Sequence, residues 1–471
     1  MYTFLNRGLA VAAALALAGL SGPTALATDT VSTGKPLTLD AIFERDEFAA
    51  ALPRNLRWQP DGKSFTYLPA PGEELSAGLY QQRPDADEAR QVMRFDGLAG
   101  LPEGFEVTDV QWHGGSGFAL LRGPVKVTWQ GYKDAAWYVY DPASDAVRPL
   151  VGADRMLRHV KLSPDGLRAG YVYGNNLYVN DLRSGDDVAI TRDGGYERFN
   201  GSFDYGSTMF GWYDAWRWSP DGAAIAFWQL DVAKVKTYPL VDQLHSYPQV
   251  RRFHYANAGE AHAVYRIAVH DLASAETRWM DTGHDADDYL PQMNWDAQSR
   301  GLYVQRLTRD HQTLEVLYAD AATGKTKSLL IDNDPAWLDV TEDLTPLSGT
   351  DGEFLWTSER SGWRHIYRVN REGEASALTS GDWSVDAIVG VDTQSDWVYF
   401  YAKKDSLIDQ HVYRVGLDGG PVERLTDTPG WHTWTLSPDG QHVIAQHSDA
   451  RTPPSLSLRK ASGETLSALV T

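Results

Sequence analysis

The stretch Trp218-Ser219-Pro220-Asp221-Gly222-Ala223-Ala224-Ile225-Ala226-Phe227-Trp228 decides the fold. Proline presets φ at the second position of a tight turn, and Asp and Gly accept the backbone that follows. A large apolar residue closes the strand before the turn, and the residues after it alternate with a strand period. This is a β-hairpin with one face turned to a core. Clear copies are Trp58-Gln59-Pro60-Asp61-Gly62, Leu162-Ser163-Pro164-Asp165-Gly166 and Leu436-Ser437-Pro438-Asp439-Gly440. Degenerate copies start at Trp112, Trp295, Leu347 and Val391. The anchors are then Trp58, Trp112, Leu162, Trp218, Trp295, Leu347, Val391 and Leu436, roughly fifty residues apart for most pairs.

A second hairpin follows each anchor at a regular offset. Leu177-Tyr178-Val179-Asn180-Asp181 precedes Ser184-Gly185, and Val412-Tyr413-Arg414-Val415 precedes Asp418-Gly419-Gly420. Trp137-Tyr138-Val139-Tyr140-Asp141 and Ile366-Tyr367-Arg368-Val369 occupy the same place in other repeats. Two hairpins per period make one four-stranded blade, and a blade buries both faces only by stacking on others. The expected fold is all-β, an eight-bladed β-propeller of four-stranded antiparallel blades, with seven blades as the alternative. The long gap between Trp218 and Trp295 holds an ordered insertion, residues 233–263. Residues 37–48 (LTLDAIFERDEF) have apolar residues at helical spacing and Thr38 as a cap, which predicts a short N-terminal helix.

Composition narrows the function. The 471 residues carry a formal charge of −20, a surface that repels nucleic acid and anionic lipid, so both are excluded as main partners. There is no cysteine, hence no disulfide, thiol nucleophile or cysteine–zinc site. Arg7, the apolar run 9–20 and Ala25-Leu26-Ala27 predict a secretory signal peptide cut after Ala27, leaving residues 28–471 as the propeller. A periplasmic or secreted location follows from that expectation.

Four segments carry a family resemblance: Leu37-Thr38-Leu39-Asp40-Ala41-Ile42-Phe43 with Leu56-Arg57-Trp58; Asp214-Ala215-Trp216-Arg217-Trp218-Ser219-Pro220-Asp221-Gly222 with Ala226-Phe227-Trp228-Gln229-Leu230-Asp231; Thr357-Ser358-Glu359-Arg360-Ser361-Gly362-Trp363-Arg364-His365-Ile366-Tyr367; and Gly416-Leu417-Asp418-Gly419-Gly420 with Thr452-Pro453-Pro454. Through them the chain resembles the N-terminal propeller of dipeptidyl peptidase IV-like enzymes in the prolyl oligopeptidase superfamily. The resemblance implies a propeller stacked on a C-terminal α/β-hydrolase. The propeller admits short peptides and holds their free amino terminus, and the hydrolase removes dipeptides after proline or alanine.

The chain departs from that pattern in three ways. No G-x-S-x-G nucleophile elbow occurs in it, and Gly114-Gly115-Ser116-Gly117 is followed by Phe118. No catalytic residue is therefore assigned, and the family's Ser-Asp-His chemistry is expected to lie outside this chain. The family's glutamates, which hold the substrate amine, fall near Ser207, Thr208 and Met209, just after Tyr205, and none of the three is acidic. Neutral side chains do not offset the desolvation of an ammonium as carboxylates do. The family's peptide-contacting arginine falls at Gln130, with Lys133 nearby. Gln130, Tyr205, Ser207, Thr208 and Met209 are thus the candidate substrate-binding residues.

Other constellations add little. No histidine pair has zinc-protease spacing, so no metal and no cofactor is expected. His365 reads as a structural blade residue. Residues 281–288 (DTGHDADD) read as a solvated acidic loop rather than a calcium site. The leading reading is the non-catalytic propeller portion of a dipeptidyl peptidase IV-like serine peptidase, gating and binding peptides, with a hydrolase domain as a possible partner in trans. The alternative is a free-standing periplasmic propeller that binds a protein or peptide. A third reading is a hydrolase or lyase acting at the central channel.

Overall fold

The computed structural model describes residues 37–45, 47–71, 75–86, 88–204, 209–283 and 287–470. The expected signal peptide lies outside them. The chain divides into two units, Met1–Ala49 and Ala50–Thr471. In the first, a helix spans Leu39–Phe43, with the Ala41 amide donating to Thr38 Oγ1 at 3.0 Å. Thr38 caps as expected, but the helix stops at one turn, far short of the length at which an isolated helix becomes stable.

The second unit is an eight-bladed propeller of antiparallel blades. The innermost strands are Arg54–Trp58, Asp109–Trp112, Arg158–Leu162, Trp216–Trp218, Tyr289–Trp295, Thr345–Pro346, Val385–Asp392 and Trp431–Leu436. Each expected anchor ends, or nearly ends, one of these strands. Blade 1 is built wholly from residues 54–94 and blade 8 wholly from 431–470, so no strand is shared across the junction that closes the ring. That junction is held by side chains: Trp58 Nε1 donates to the Thr435 carbonyl at 3.0 Å, and Phe65 packs with Ile444, Leu456 and Leu458.

The repeated turn satisfies its own polar groups. In blade 4, the Gly222 amide donates to the Ser219 carbonyl at 2.9 Å, and Gly222 sits at φ +70°. Ser219 Oγ donates to Asp221 Oδ1 at 2.6 Å, and the same oxygen receives the Ala223 amide at 3.0 Å. Blades 3 and 8 repeat this with Ser163–Asp165 and Ser437–Asp439. Only a residue tolerant of positive φ closes such a loop, which is why glycine ends the motif.

Apolar residues at equivalent strand ends, the tryptophan anchors are expected in the core. Trp295 is buried, but Trp58, Trp112 and Trp218 are half-buried. They lie on the seams between blades. Trp218 Nε1 reaches the Lys161 carbonyl at 3.3 Å, and Trp295 Nε1 reaches the Arg217 carbonyl at 3.4 Å. Like Trp58, each targets the residue just before the preceding blade's anchor. The indole therefore stitches neighbouring inner strands, and its N–H needs that polar edge. The deep core takes Trp216 from the inner strand and Trp228, Phe227 and Phe354 from one strand out, all almost fully buried. Each such side chain contributes about 1.5–3 kcal/mol by leaving water.

Blade 4 breaks the pattern. Two short segments, Arg198–Asn200 and Trp216–Trp218, both pair with Ala224–Asp231. The inner strand is thus split, with residues 201–204 and 209–215 lying between its two segments. The expected insertion is an exposed hairpin, Thr237–Asp242 paired with Gln249–His254. It joins the second and third strands of the blade. Antiparallel order puts all such joints, and the links between blades, on one face, called here the upper face. The Pro-Asp-Gly turns lie on the lower face.

Candidate functional site

Three upper-face elements converge on a cleft of about 220 Å³. Blade 2 supplies the turn 128–132, with Gln130 and Tyr132. Gly131 sits at φ +93°, and a Cβ there would lie 2.5 Å from the Tyr213 hydroxyl, so the turn approaches its neighbour closely. Blade 3 supplies Arg158 and Asn175, the latter in a two-residue turn with Gly174 whose positive φ values (57° and 59°) fit a type I′ hairpin. Blade 4 supplies Tyr196, Phe199 and Asp204, together with Arg252, Phe253 and His254 from its hairpin. Two contacts fix the hairpin over the cleft: Phe253 meets Trp129 edge-on at 4.5 Å, and Tyr196 donates to the Arg252 carbonyl at 3.3 Å.

The cleft floor is an ionic and aromatic stack. Arg158 makes a bidentate pair with Asp134 (2.7 and 3.1 Å) and lies over the Tyr132 ring at 3.9 Å. The Tyr132 hydroxyl donates to the Phe203 carbonyl at 2.6 Å. Burial, reinforced by the Asp204 charge, raises the Tyr132 phenol far above its ordinary value, so it stays protonated. Arg252 has no acidic partner among the described residues, and His254 Nε2 is buried without a partner while Nδ1 engages the Val235 carbonyl at 2.7 Å. Among the described residues the cleft therefore presents a cation without an acidic partner, hydrogen-bonding edges and aromatic faces.

Below the cleft, Lys161 meets Asp214 at 2.6 Å, and Arg217 meets the same carboxylate oxygen at 3.1 Å. Lys161 also lies 4.2 Å over the Trp216 ring. Burial pulls the Lys161 ammonium down to about 8 against the attraction of Asp214, and it pulls His159 down to about 4. A second titratable cluster joins blades 7 and 8 on the upper face. The His432 ring is 5.6 Å from His411 and 4.6 Å from His447. Burial, and then the neighbouring histidines and Arg459, hold His432 below its ordinary pKa.

The family described as dipeptidyl peptidase IV (DPP IV) N-terminal region matches residues 115–454. The chain belongs to that family. The probable dipeptidyl-aminopeptidase B of Emericella nidulans is 27% identical over 90% of this chain and 51% of its own length. The dipeptidyl-aminopeptidase B of Aspergillus niger is 25% identical over 86% of this chain and 50% of its own length. The chain spans about half the length of the curated relatives it matches. The crystal structure of Porphyromonas gingivalis dipeptidyl peptidase 4 superimposes with a TM-score of 0.84 at 24% identity, covering 93% of this chain and 62% of that one, and supports the fold.

Within this DPP IV-type propeller, Gln130 lines the cleft. Met209 is 56% exposed and is not among the cleft-lining residues. Tyr205, Ser207 and Thr208 lie outside the described residues. Residues missed from sequence are Tyr132, Arg158, Asp204, Arg252 and His254. One signal was available. A basic residue precedes the anchor in blades 1, 3 and 4, as Arg57, Lys161 and Arg217, and Arg57 pairs with Asp109 of the next blade at 2.9 Å as Lys161 pairs with Asp214. The acidic stretch 281–288 is not simply solvated, since Asp287 pairs with Arg309 at 3.1 Å and Asp288 lies 3.8 Å from Arg306. His365 is buried and bonded to Thr379 Oγ1 (3.0 Å) and the Gly381 carbonyl (3.0 Å), a structural role.

Proposed function

We propose that this chain is the peptide-contacting propeller portion of an exported dipeptidyl peptidase IV-type serine peptidase. It receives short peptides in the upper-face cleft, and a hydrolase domain supplied by other residues or another chain cuts them. The observation that carries this reading is the convergence of three separate loops on one cleft, with Arg252, which has no acidic partner among the described residues, beside Gln130 and the Tyr132–Arg158 stack. The upper face also exposes Trp337, Trp363, Leu407, Ile408 and Trp431, which supports a partner domain docking there.

Titrating the purified chain with an Ala-Pro-headed tripeptide, read by tryptophan fluorescence, tests the binding. Saturable binding that weakens at least about tenfold in a Q130A/R252A double variant is expected. No saturation at millimolar peptide would sink the reading. The chain alone is expected to leave a chromogenic Ala-Pro substrate uncut. Turnover abolished by a serine-directed inhibitor would overturn the non-catalytic assignment.

A further inference from the structure

The inner strand of blade 3 touches both walls of the cleft. At its start, Arg158 grips Asp134 of blade 2 at 2.7 Å, beside the turn that carries Gln130. Near its end, Lys161 grips Asp214 of blade 4 at 2.6 Å. Between them the strand bulges: Arg158 opposes Val172 and Lys161 opposes Gly170, leaving one residue too many on the inner side, and His159 sits at φ +51°. A bulge turns successive side chains to different directions, which lets two cations three residues apart serve two different blades.

The blade 4 wall depends on that grip. Residues 201–204 and 209–215 form the flanks of the excursion from the split strand. Main-chain bonds stitch them, from the Phe203 amide to the Tyr213 carbonyl (2.9 Å) and from the Ala215 amide to the Gly201 carbonyl (3.2 Å). Asp214 lies in this stitch, bridged to Ser202, so its carboxylate ties the flanks to blade 3. Only one of its oxygens is engaged; Asp214 Oδ1 is buried without a partner. The Phe203 carbonyl in turn receives the Tyr132 hydroxyl, on whose ring Arg158 rests.

We propose that the blade 3 inner strand is the strut that sets the width of the cleft, with Lys161 as the positioning residue for the blade 4 wall. The strut rests on geometry; its consequence for peptide affinity rests on the function proposed above. The groups around Lys161 make it responsive to alkali. Burial and Arg217 oppose its charge, while Asp214 favours it. Arg158 and His159 flank it on its own strand, and Arg158 is answered by Asp134. The grip is therefore complete at neutral pH and slackens as pH rises through about 8.

Hydrogen exchange at the Phe203 and Ala215 amides reads the strut directly, as protection factors corrected for the intrinsic rate at each pH. In the native chain, protection is expected to fall about tenfold between pH 7 and pH 9, since each pH unit above the folded pKa cuts the ammonium fraction about tenfold. K161R, which keeps its charge, should hold protection across the range. K161M should be low throughout and insensitive to pH. R57M, which removes the equivalent ion pair between blades 1 and 2, should leave these amides unchanged. A flat native profile, a K161R profile that falls like the native one, or an R57M effect equal to that of K161M overturns the proposal. K161R keeps the test open where K161M does not fold. Peptide titration run in parallel separates the two readings. Responsive amides with no peptide held leave the strut standing and remove the peptide function; peptide held with unresponsive amides does the reverse.

Discussion

The two faces of the ring are built on opposite principles. Lower-face turns are short, repeated and polar, and they bond to themselves, as Ser219, Asp221 and Gly222 do. Among the described residues, none of the large exposed hydrophobic side chains falls in a lower turn. Upper-face joints are unequal in length and carry exposed apolar tips, including Trp129, Leu244, Tyr247, Leu407 and Ile408. The repeated lower turns specify the fold, and the upper joints differ from blade to blade. Repetition marks where the chain must be a propeller, and irregularity gathers on the face that carries the cleft.

Substitutions can break that contrast, and the largest effect belongs to neither face. Trp228 is fully buried, and its Nε1 donates to the Leu290 carbonyl at 2.8 Å, tying blade 4 to blade 5. W228A should cost about 3–5 kcal/mol, measured by denaturant unfolding. On the lower face, D221A removes acceptors for Ser219 and Ala223 and should cost about 1 kcal/mol, with the cleft unaffected. Peptide affinity changed more than stability there would contradict the division of labour. On the upper face, replacing residues 239–252 by a short Gly-Ser link should shift the melting temperature by less than D221A does, yet weaken peptide binding at least about tenfold.

Acid probes the same face. His159 and His432 are held neutral by burial, so the folded chain binds fewer protons than the unfolded one. Their contribution is complete above pH 6.5 and is lost as pH falls toward about 4 for His159. The melting temperature should fall across that window, and H432Q, which keeps a donor toward the Thr428 carbonyl, should fall less steeply. The smallest change is expected from L407D/I408D, two residues more than 80% exposed: within about 0.5 kcal/mol of native stability, but with any docked hydrolase partner released.

The same contrast explains what the sequence could yield. Turn chemistry is local, so the anchors and the blade count were legible from Trp58 to Leu436. The family segments were legible too, and so was the Thr38 cap. The seam role of the tryptophans was not, because it depends on which carbonyl the neighbouring blade presents to Trp218. The cleft was legible only at Gln130. Arg158 and Arg252 come from different blades ninety-four residues apart in the chain, and nothing local to either announces the other. The split strand of blade 4 was also hidden, since Arg198–Asn200 is too short to read as a strand beside an anchor eighteen residues further on.

Blades 1 and 8 each come from one contiguous stretch, and this has a consequence for assembly order. Each sheet forms from neighbours in sequence, at low loop-closure entropy, and each new blade docks on the one before it. The Trp58–Thr435 bond alone spans 377 residues, and it forms only when the whole series is in place. During synthesis the protein is therefore an open arc that gains one blade at a time, its first seam bare until the last blade emerges. The Phe65 side of blade 1 is the surface that a chaperone would have to cover in that interval.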